Sequence, residues 1–387
     1  DDEKVEVDAD GNIHYKAKKP SAAPNEPLYG KHYLPRKFKI GIATSNDNSV
    51  DIYTQDIGLI ALMKDGEIEK FEILAGGGLG HSHSKPETYA RIGSHITALP
   101  FEEVVPVVEA IIKVQRDYGN RENRAQARLK YTIDRLGLDR FKELVAEYYG
   151  KELPEPTNTK PSDQPDYLGW HKQSPPGLNS VGVWVENGRI RDFADYKFRS
   201  GLRKIVEKFK PLVRLTAHHN VVLANIKDED VDEAKAILAE HNVPTHEEIA
   251  KIRRHEMACP ALPLCGLALA EAEREIPKIM DQLVEMGCAD DDVVIRMTGC
   301  PNSCARPETA EIGIIGRGPN KYNLYTGGDR LGARMNELVA ENLKVDELPG
   351  KIGALLGPWR EKRTNGESFG EWSHQQGVDA LKQLIEA

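Results

Sequence analysis

Four of the five cysteines form two pairs with a spacing suited to metal chemistry. Five residues separate Cys259 from Cys265, and three separate Cys300 from Cys304. The second pair lies in a turn sequence, Gly-Cys-Pro-Asn-Ser-Cys, between two apolar runs. This pattern predicts a loop between two strands. Four thiolates in two pairs suit either a tetrahedral zinc site or an iron–sulfur cluster.

The segment after the first pair predicts a long amphipathic helix from Leu267 to Met286. The amino end of such a helix would direct N–H groups and a positive dipole end toward anionic sulfur. Cys288 follows without a partner and is interpreted as a structural thiol. Clustered cysteines of odd total number favour metal binding in a reducing compartment, the cytoplasm or a plastid stroma, over a disulfide framework.

Two lysines at the start of a predicted strand form a second candidate site. In Arg36-Lys37-Phe38-Lys39, alternation along a strand places Lys37 and Lys39 on the same face. Their ammonium groups would then be about 7 Å apart. Such a pair could bind a small divalent anion or donate protons to it. The alternative is an exposed polar edge of the sheet.

A third candidate is the basic run at residues 120–130. Arg121, Arg124 and Arg128 follow i, i+3, i+7 spacing and would share one helix face, with Lys130 beyond them. Such a face could bind several carboxylates or phosphates through forked hydrogen bonds. The alternative is a solvated helix face.

The surrounding pattern predicts the elements that position these residues. Strands are expected at 39–44, 57–63 and 68–74, the last two as a hairpin, and helices at 101–118 and 131–149. A Pro-containing stretch, 150–166, is predicted to be a linker. Residues 181–241 follow a β-α-β-β-α order that indicates a ferredoxin-like unit. A closing helix is expected at 378–385.

Two segments of the chain resemble each other, which suggests an internal duplication. The stretch from Ile60 to Gly80 and the stretch from Ile312 to Gly332 both read as strand, Gly turn, strand, Gly-Gly, Leu-Gly. We therefore divide the chain into a polar tail or linker (1–30), a first repeat (31–165), a ferredoxin-like half-domain (166–245) and a second repeat with all the cysteines (246–387).

Composition limits the class of protein. The chain has 387 residues with 40% hydrophobic and 29% charged residues, which is typical of a globular protein with two or three domains. Its net charge of −9 argues against general nucleic-acid binding. No apolar run is long enough for a membrane span, so we expect neither a nucleic acid nor a membrane as partner.

At the cysteine segments the chain resembles the assimilatory sulfite and nitrite reductase family. The similarity is carried by Ala258-Cys-Pro-Ala-Leu-Pro-Leu-Cys-Gly266, by Thr298-Gly-Cys-Pro-Asn-Ser-Cys304 and by Leu34-Pro-Arg-Lys-Phe-Lys39. The resemblance implies an α+β fold: mixed sheets with flanking helices, a duplicated reductase repeat and a ferredoxin-like half-domain. It also implies two cofactors, siroheme and a [4Fe–4S] cluster, coupled through a shared cysteine thiolate.

The resemblance further implies a role for each candidate residue. Cys259, Cys265, Cys300 and Cys304 would bind the cluster, and Cys304 would also be the siroheme ligand. Lys37 and Lys39 would bind the anion and help deliver protons. Siroheme carries carboxylates, which would be met by the basic run; the family likeness favours Arg128 and Lys130 over Arg121 and Arg124.

The implied reaction is the six-electron reduction of sulfite to sulfide. Nitrite reductases resemble the same stretch but usually have Asn where this chain has Lys39, so nitrite reduction is the alternative within the family. A non-redox zinc-binding structural protein is the alternative outside it. Since no dinucleotide or flavin motif is present, we expect an external electron donor, a ferredoxin or a flavoprotein reductase.

One departure from the family pattern bears on the anion site. Only 33 residues precede Leu34, whereas family members usually have a substantial segment there with two arginines that complete the site. We therefore expect the active site of this chain to be completed by an N-terminal segment or a second chain.

Overall fold

The computed structural model describes residues 26–174, 176–364 and 366–386, together with two short paired strands, β1 (Val5–Val7) and β2 (Ile13–Tyr15). The predicted polar tail, 1–30, lies mostly outside the described residues. Among the described residues, no helix combines the length and the apolar character needed to cross a membrane.

The first sheet contains four strands in the order β3-β4-β5-β6. β3 is parallel to β4, and the other neighbours are antiparallel. Three helices and the sheet share one core, because the apolar residues of β4 and β5 and of the first helix are buried together. The strands are β3 (Ile40–Thr44), β4 (Ile57–Lys64), β5 (Glu67–Ala75) and β6 (Ser94–Leu99), and the helices are α1 (Phe101–Tyr118), α2 (Leu129–Leu136) and α3 (Leu138–Tyr149).

The predicted single helix over 131–149 is in fact two helices. Gly137 separates α2 from α3 with φ of 86°, a left-handed value that glycine adopts without strain. The predicted hairpin at 57–74 is observed as β4 and β5. The linker that follows α3 forms no regular element, and Thr157 and Asn158 bond it to the buried Glu72 carboxylate of β5.

The ferredoxin-like unit has the predicted element order with an additional edge strand, β7. Its antiparallel sheet has the order β11-β12-β8-β7, and two helices pack on it. The main elements are β7 (Gly169–Lys172), β8 (Leu178–Val183), α4 (Phe198–Phe209), β11 (Leu212–Leu215), β12 (Val221–Lys227) and α5 (Val231–Glu240). A small pair, β9 (Asp192–Phe193) and β10 (Tyr196–Lys197), precedes α4.

The last part of the chain contains a five-stranded sheet in the order β13-β14-β15-β16-β17. Its helices bury Trp359 and Leu355 against Ile295 and Ile314 of the sheet. The strands are β13 (Met257–Ala258), β14 (Ile295–Thr298), β15 (Ile312–Gly318), β16 (Lys321–Thr326) and β17 (Glu337–Leu343). The helices are α6 (Lys251–Arg254), α7 (Ile276–Leu283), α8 (Leu348–Lys362), α9 (Phe369–Gln376) and α10 (Val378–Glu386).

The two larger sheets repeat one strand plan, as the sequence echo suggested. In the first, β3 is parallel to β4, followed by antiparallel β5 and β6; in the second, β14 is parallel to β15, followed by antiparallel β16 and β17. Equivalent positions around the parallel pair differ by 255 in residue number, as Asp51 and Arg306 do. The duplication is therefore visible in the strand pairing.

The predicted helix over 267–286 is wrong in its first half. The α-helix begins only at Ile276, and a π-turn, Val284–Cys288, follows it. The N–H groups of Leu269 and Ala270 both donate to the carbonyl of Gly299, and these hydrogen bonds keep the segment in a non-helical conformation. The expected helix amino end beside Cys265 is therefore replaced by a loop that is bonded to the second cysteine segment.

Candidate active site

A cleft brings together residues that precede or follow strands of both repeated sheets. One wall consists of residues near β3 and of the segment before α2, and the other consists of the loop after β14. The residues with candidate roles that line it are Lys37, Lys39, Arg124, Arg128 and Cys304, and the remaining charged or polar ones include Arg36, His81, Asn302, Ser303 and Arg306. The cleft is therefore basic, with one thiol in its wall.

The two cysteine loops are joined by backbone hydrogen bonds at the end of β13. The N–H of Cys259 donates to the carbonyl of Met297 at 3.2 Å, and the N–H of Gly299 donates to Cys259 Sγ at 3.3 Å. The Gly299 carbonyl accepts from the segment after Cys265. The parallel pairing of β13 with β14 thus brings the first cysteine loop against the second.

The four clustered thiols are near enough to influence one another. Burial raises the pKa of Cys259 to about 11, and the charges of Cys304 and Cys300 add to the rise. Burial also raises the pKa of Cys300, with further contributions from Cys304 and Cys265. Four thiolates in this place therefore need a cationic partner, which is the chemistry of a metal centre.

The cysteines differ in exposure in a way that relates them to the cleft. Cys259 and Cys300 are buried, Cys265 is half-buried, and Cys304 is exposed in the cleft wall. Within 26–174, 176–364 and 366–386, no three or more His, Cys, Asp and Glu side chains are grouped tightly enough for a single metal ion. In a four-iron cluster, by contrast, each thiolate binds a different iron, so the four sulfur atoms lie farther apart than around a single ion.

Lys37 and Lys39 precede β3 instead of lying within it, and both line the cleft. The backbone N–H of Lys39 donates to Asp56 Oδ2 at 3.0 Å, which fixes the chain at this point. Loss of hydration lowers the pKa of Lys39, and the nearby charges of Arg128 and Lys37 lower it further. Lys39 is therefore a readier proton donor than a free lysine.

The predicted common helix face for the arginines is wrong. Residues 119–128 form a loop with a short 3-10 turn, Arg124–Gln126, because α2 begins only at Leu129. Arg124 and Arg128 still line the cleft, and Arg128 is paired with Asp56 at 2.8 Å. Arg121 instead donates to the carbonyl of Tyr33.

Lys130 lies beneath the glycine loop, residues 76–80, which follows β5. It is fully buried, and its ammonium donates to the carbonyls of Gly78, Gly80 and Tyr89. Burial lowers the pKa of Lys130 to about 7, and the charge of Arg128 contributes. Its donors are used to hold the loop that faces Asn302.

The glycine loop contacts the second repeat at the cleft. A Cβ on Gly80 would lie 2.9 Å from the Asn302 carbonyl oxygen, so only glycine fits without a shift. The next residue, His81, donates its backbone N–H to the Pro301 carbonyl at 2.9 Å. This contact sets the first repeat against the Cys300–Cys304 loop.

Sequence reasoning missed Arg306 as a cleft residue, together with the acids beneath the cleft. Arg306 has left-handed backbone angles, φ 58° and ψ 48°, and its side chain pairs with the buried Asp51. Its position two residues after Cys304 was an available signal. Its pairing with Asp51 could not be predicted from local sequence spacing, because the two residues are 255 positions apart in the chain.

Comparison with known proteins identifies the family of the chain. Residues 9–153 match a family model described as the nitrite and sulphite reductase 4Fe-4S domain, and residues 171–241 match the nitrite/sulfite reductase ferredoxin-like half domain. The first match lies on the repeat without cysteines, since all five lie beyond residue 258. The chain belongs to the nitrite and sulfite reductase family.

Relatives of known type share most of the chain. It is 43% identical over 359 residues to the sulfite reductase [NADPH] hemoprotein beta-component of Staphylococcus haemolyticus, covering 92% of this chain and 62% of the relative. It is 40% identical to the sulfite reductase [ferredoxin] of Synechococcus elongatus, covering 94% of this chain and 59% of the relative. The chain thus spans about three fifths of the length of these relatives.

A solved structure has the same fold. The NirA protein of Mycobacterium tuberculosis superimposes with a TM-score of 0.73 at 25% identity, covering 90% of this chain and 64% of that protein. The expected α+β architecture, with a ferredoxin-like half-domain, is confirmed.

Proposed function

We propose that this chain provides the cofactor-binding and anion-binding site for the six-electron reduction of sulfite to sulfide. The observation that carries the proposal is the cleft itself: Cys304 from the second repeat and Lys37, Lys39 and Arg128 from the first line one cavity. A thiol and several cations facing the same space suit a thiolate-bound haem whose open side receives an anion.

Cys259, Cys265, Cys300 and Cys304 hold a [4Fe–4S] cluster in this proposal. The mutual effect of these thiols on their pKa values, and their position on two interlocked loops, support one shared cationic partner. Cys304 is the shared ligand because it alone of the four is exposed in the cleft. When bound, the cluster and siroheme would relay electrons and provide an iron site for the anion.

The cleft cations divide into two roles. Arg124 and Arg128 are placed to meet siroheme carboxylates through forked hydrogen bonds. Arg121 and Lys130 were expected to share this role. Lys130 donates to three backbone carbonyls and Arg121 donates to the Tyr33 carbonyl, outside the cleft lining, so we assign both to support of the surrounding loops.

Lys37 and Lys39 bind the substrate anion and hold protons for it. The lowered pKa of Lys39, caused by lost hydration and by Arg128, suits proton donation. A second cation at Lys37 favours a doubly charged anion such as sulfite over a singly charged one such as nitrite. Relatives named as sulfite reductases agree with this choice.

An external protein supplies the electrons in this proposal. The relatives' names include both an NADPH enzyme with a beta-component and a ferredoxin enzyme, so the donor class stays open between a flavoprotein and a ferredoxin. Five free cysteines among the described residues agree with a reducing compartment.

The test is the visible spectrum of the purified protein with its iron and acid-labile sulfide content. We expect siroheme bands, about five irons and about four sulfides per chain, one cluster and one haem iron. Sulfite should shift the bands only when the cofactors are present, and its turnover with a reduced viologen dye should also need the N-terminal segment or second chain that completes the site. A colourless protein with one zinc per chain would refute the proposal.

A further inference from the structure

Two buried carboxylates lie beneath the cleft and contact its cations. Asp51 and Asp56 flank a short 3-10 turn, Ile52–Thr54, in the segment that connects β3 to β4. Asp51 is 1% exposed and Asp56 is fully buried. Burying a carboxylate destabilises the folded protein unless the carboxylate is paired with a cation or accepts hydrogen bonds.

Asp56 holds two cleft residues of the first repeat. Its Oδ2 accepts from Arg128 Nη2 at 2.8 Å and from the backbone N–H of Lys39 at 3.0 Å. One oxygen therefore fixes a guanidinium and the chain that carries the substrate lysine. A loss of this carboxylate charge would leave Arg128 free to turn within the cleft.

Asp51 holds the cleft cation of the second repeat. Its Oδ2 accepts from Arg306 Nε, and its Oδ1 lies 3.0 Å from Arg296 Nη1. Arg306 also donates to the carbonyl of Ala217 in the ferredoxin-like unit. Asp51 thus fixes Arg306 at a junction of three parts of the chain.

The cations need such anchors because they repel one another. Arg128, Lys37 and Arg306 each lower the pKa of Lys39, after the larger effect of burial, so their charges are felt at its ammonium. Without buried counter-charges, mutual repulsion would spread these side chains apart.

We propose that Asp51 and Asp56 are positioning residues: they fix Arg306 and Arg128 beside Lys39, so that Lys39 keeps the position needed to bind the substrate anion. The two acids act through these cations. The inference rests on the proposed function for the identity of the anion, sulfite.

The duplication provides a matched control. Glu311, at the position equivalent to Asp56, accepts the backbone N–H of Val294, which is equivalent to Lys39. Glu311 is also fully buried, but its other partners are the Gly370 N–H and Arg330, which lie away from the cleft. Glu311→Gln therefore removes the same kind of structural contact without touching a cleft cation.

The experiment compares Asp56→Asn with Glu311→Gln in the cofactor-loaded protein. Sulfite affinity is measured by titration of the siroheme bands and by calorimetry, and thermal unfolding is followed in parallel. We expect both variants to lose stability, but only Asp56→Asn to bind sulfite more weakly, by roughly 10- to 100-fold. The KM for sulfite should rise more than kcat falls.

Unchanged sulfite affinity in Asp56→Asn, or an equal loss in Glu311→Gln, would overturn the proposal. Asp51→Asn is the second variant, and it decides the matter if Asp56→Asn does not fold; it should also weaken sulfite binding, and wild-type affinity would overturn the proposal. Failure of the wild-type protein to bind sulfite would instead refute the proposed function.

Discussion

The two equivalent connections in the duplicated sheets share backbone features but carry different functional groups. Residues 45–56 join β3 to β4, and residues 299–311 join β14 to β15. Each contains a left-handed residue that caps a short 3-10 turn, Asp51 in the first and Arg306 in the second. Each ends in a buried carboxylate that accepts a backbone N–H.

The difference lies in what these connections carry. The first has no thiol and holds cations from beneath, whereas the second carries Cys300 and Cys304. The equivalent positions Asp51 and Arg306 meet as an ion pair of opposite charge. In the proposed function, the duplicated scaffold has diverged into an anion-binding side and a metal-binding side that line one cleft.

The largest expected effect concerns the metal-binding side. Cys259→Ser should abolish the cluster, because a buried, bonded thiolate ligand is lost. Iron and acid-labile sulfide per chain, with sulfite turnover, measure the result, and turnover should fall to background.

The fifth cysteine supplies the control for this prediction. Cys288 is buried beside Asp291 and Arg360, where burial raises its pKa. Cys288→Ser should keep full iron and sulfide content. If Cys288→Ser lost the cluster while Cys259→Ser kept the cluster, the assignment of the metal-binding side would be wrong.

The next effect concerns the anion-binding side. Lys39→Asn should lower kcat/KM for sulfite by roughly 10²- to 10⁴-fold, because it removes a cation and a proton donor. Steady-state rates with sulfite and with nitrite measure it, and nitrite turnover should suffer less. Equal losses for both anions would show that Lys39 does not discriminate between them.

The next prediction concerns how stability depends on pH. Glu308 of the second connection is a buried acid, whereas the equivalent residue of the first connection is Tyr53. Burial raises the pKa of Glu308 from 4.5 to about 7. Between pH 4.5 and 7 the folded protein keeps a proton on Glu308 that the unfolded chain has released. The free energy of unfolding therefore falls as the pH rises from about 4.5 to 7. The loss attributable to Glu308 is about 3 kcal/mol.

Glu308→Gln should remove this loss, since the amide carries no proton to release. Denaturant unfolding of both proteins at several pH values measures the difference. The stability of the variant relative to wild type should rise across this range. A difference independent of pH would contradict the account.

The smallest expected effect concerns the contact between the two sides. Gly80→Ala should cost about 1–3 kcal/mol, because its Cβ would press on the Asn302 carbonyl. Gly357→Ala, in α8 with nothing within 4 Å, should be neutral or stabilising by up to about 1 kcal/mol. Thermal unfolding compares the two, and equal midpoints would show that the repeats are not tightly apposed at Gly80.

Local patterns predicted many of the elements and singled out the cysteine pairs as candidates. The hairpin β4–β5 and helices α1 and α4 have periods and turn residues that are read within a short window. The two thiol pairs and the lysine pair were identified as candidates because the two members of each pair are close in sequence. These features depend on contacts that the local pattern already contains.

The features that were missed or misread depend on distant contacts. The apolar spacing at 267–275 suits a helix, but hydrogen bonds to Gly299 impose a different course. The spacing of Arg121, Arg124 and Arg128 likewise suits a helix face, although the chain forms a loop there. The Asp51–Arg306 pair joins residues from opposite ends of the chain, which no local pattern reveals.

Cys304 is the proposed link between the two sides. The deciding measurement is a Mössbauer spectrum of protein grown on isotopically enriched iron, for wild type and Cys304→Ser. We predict that the cluster irons of the wild type are magnetically coupled to the siroheme iron and that Cys304→Ser lacks this coupling. Coupling that persists in Cys304→Ser would contradict the account.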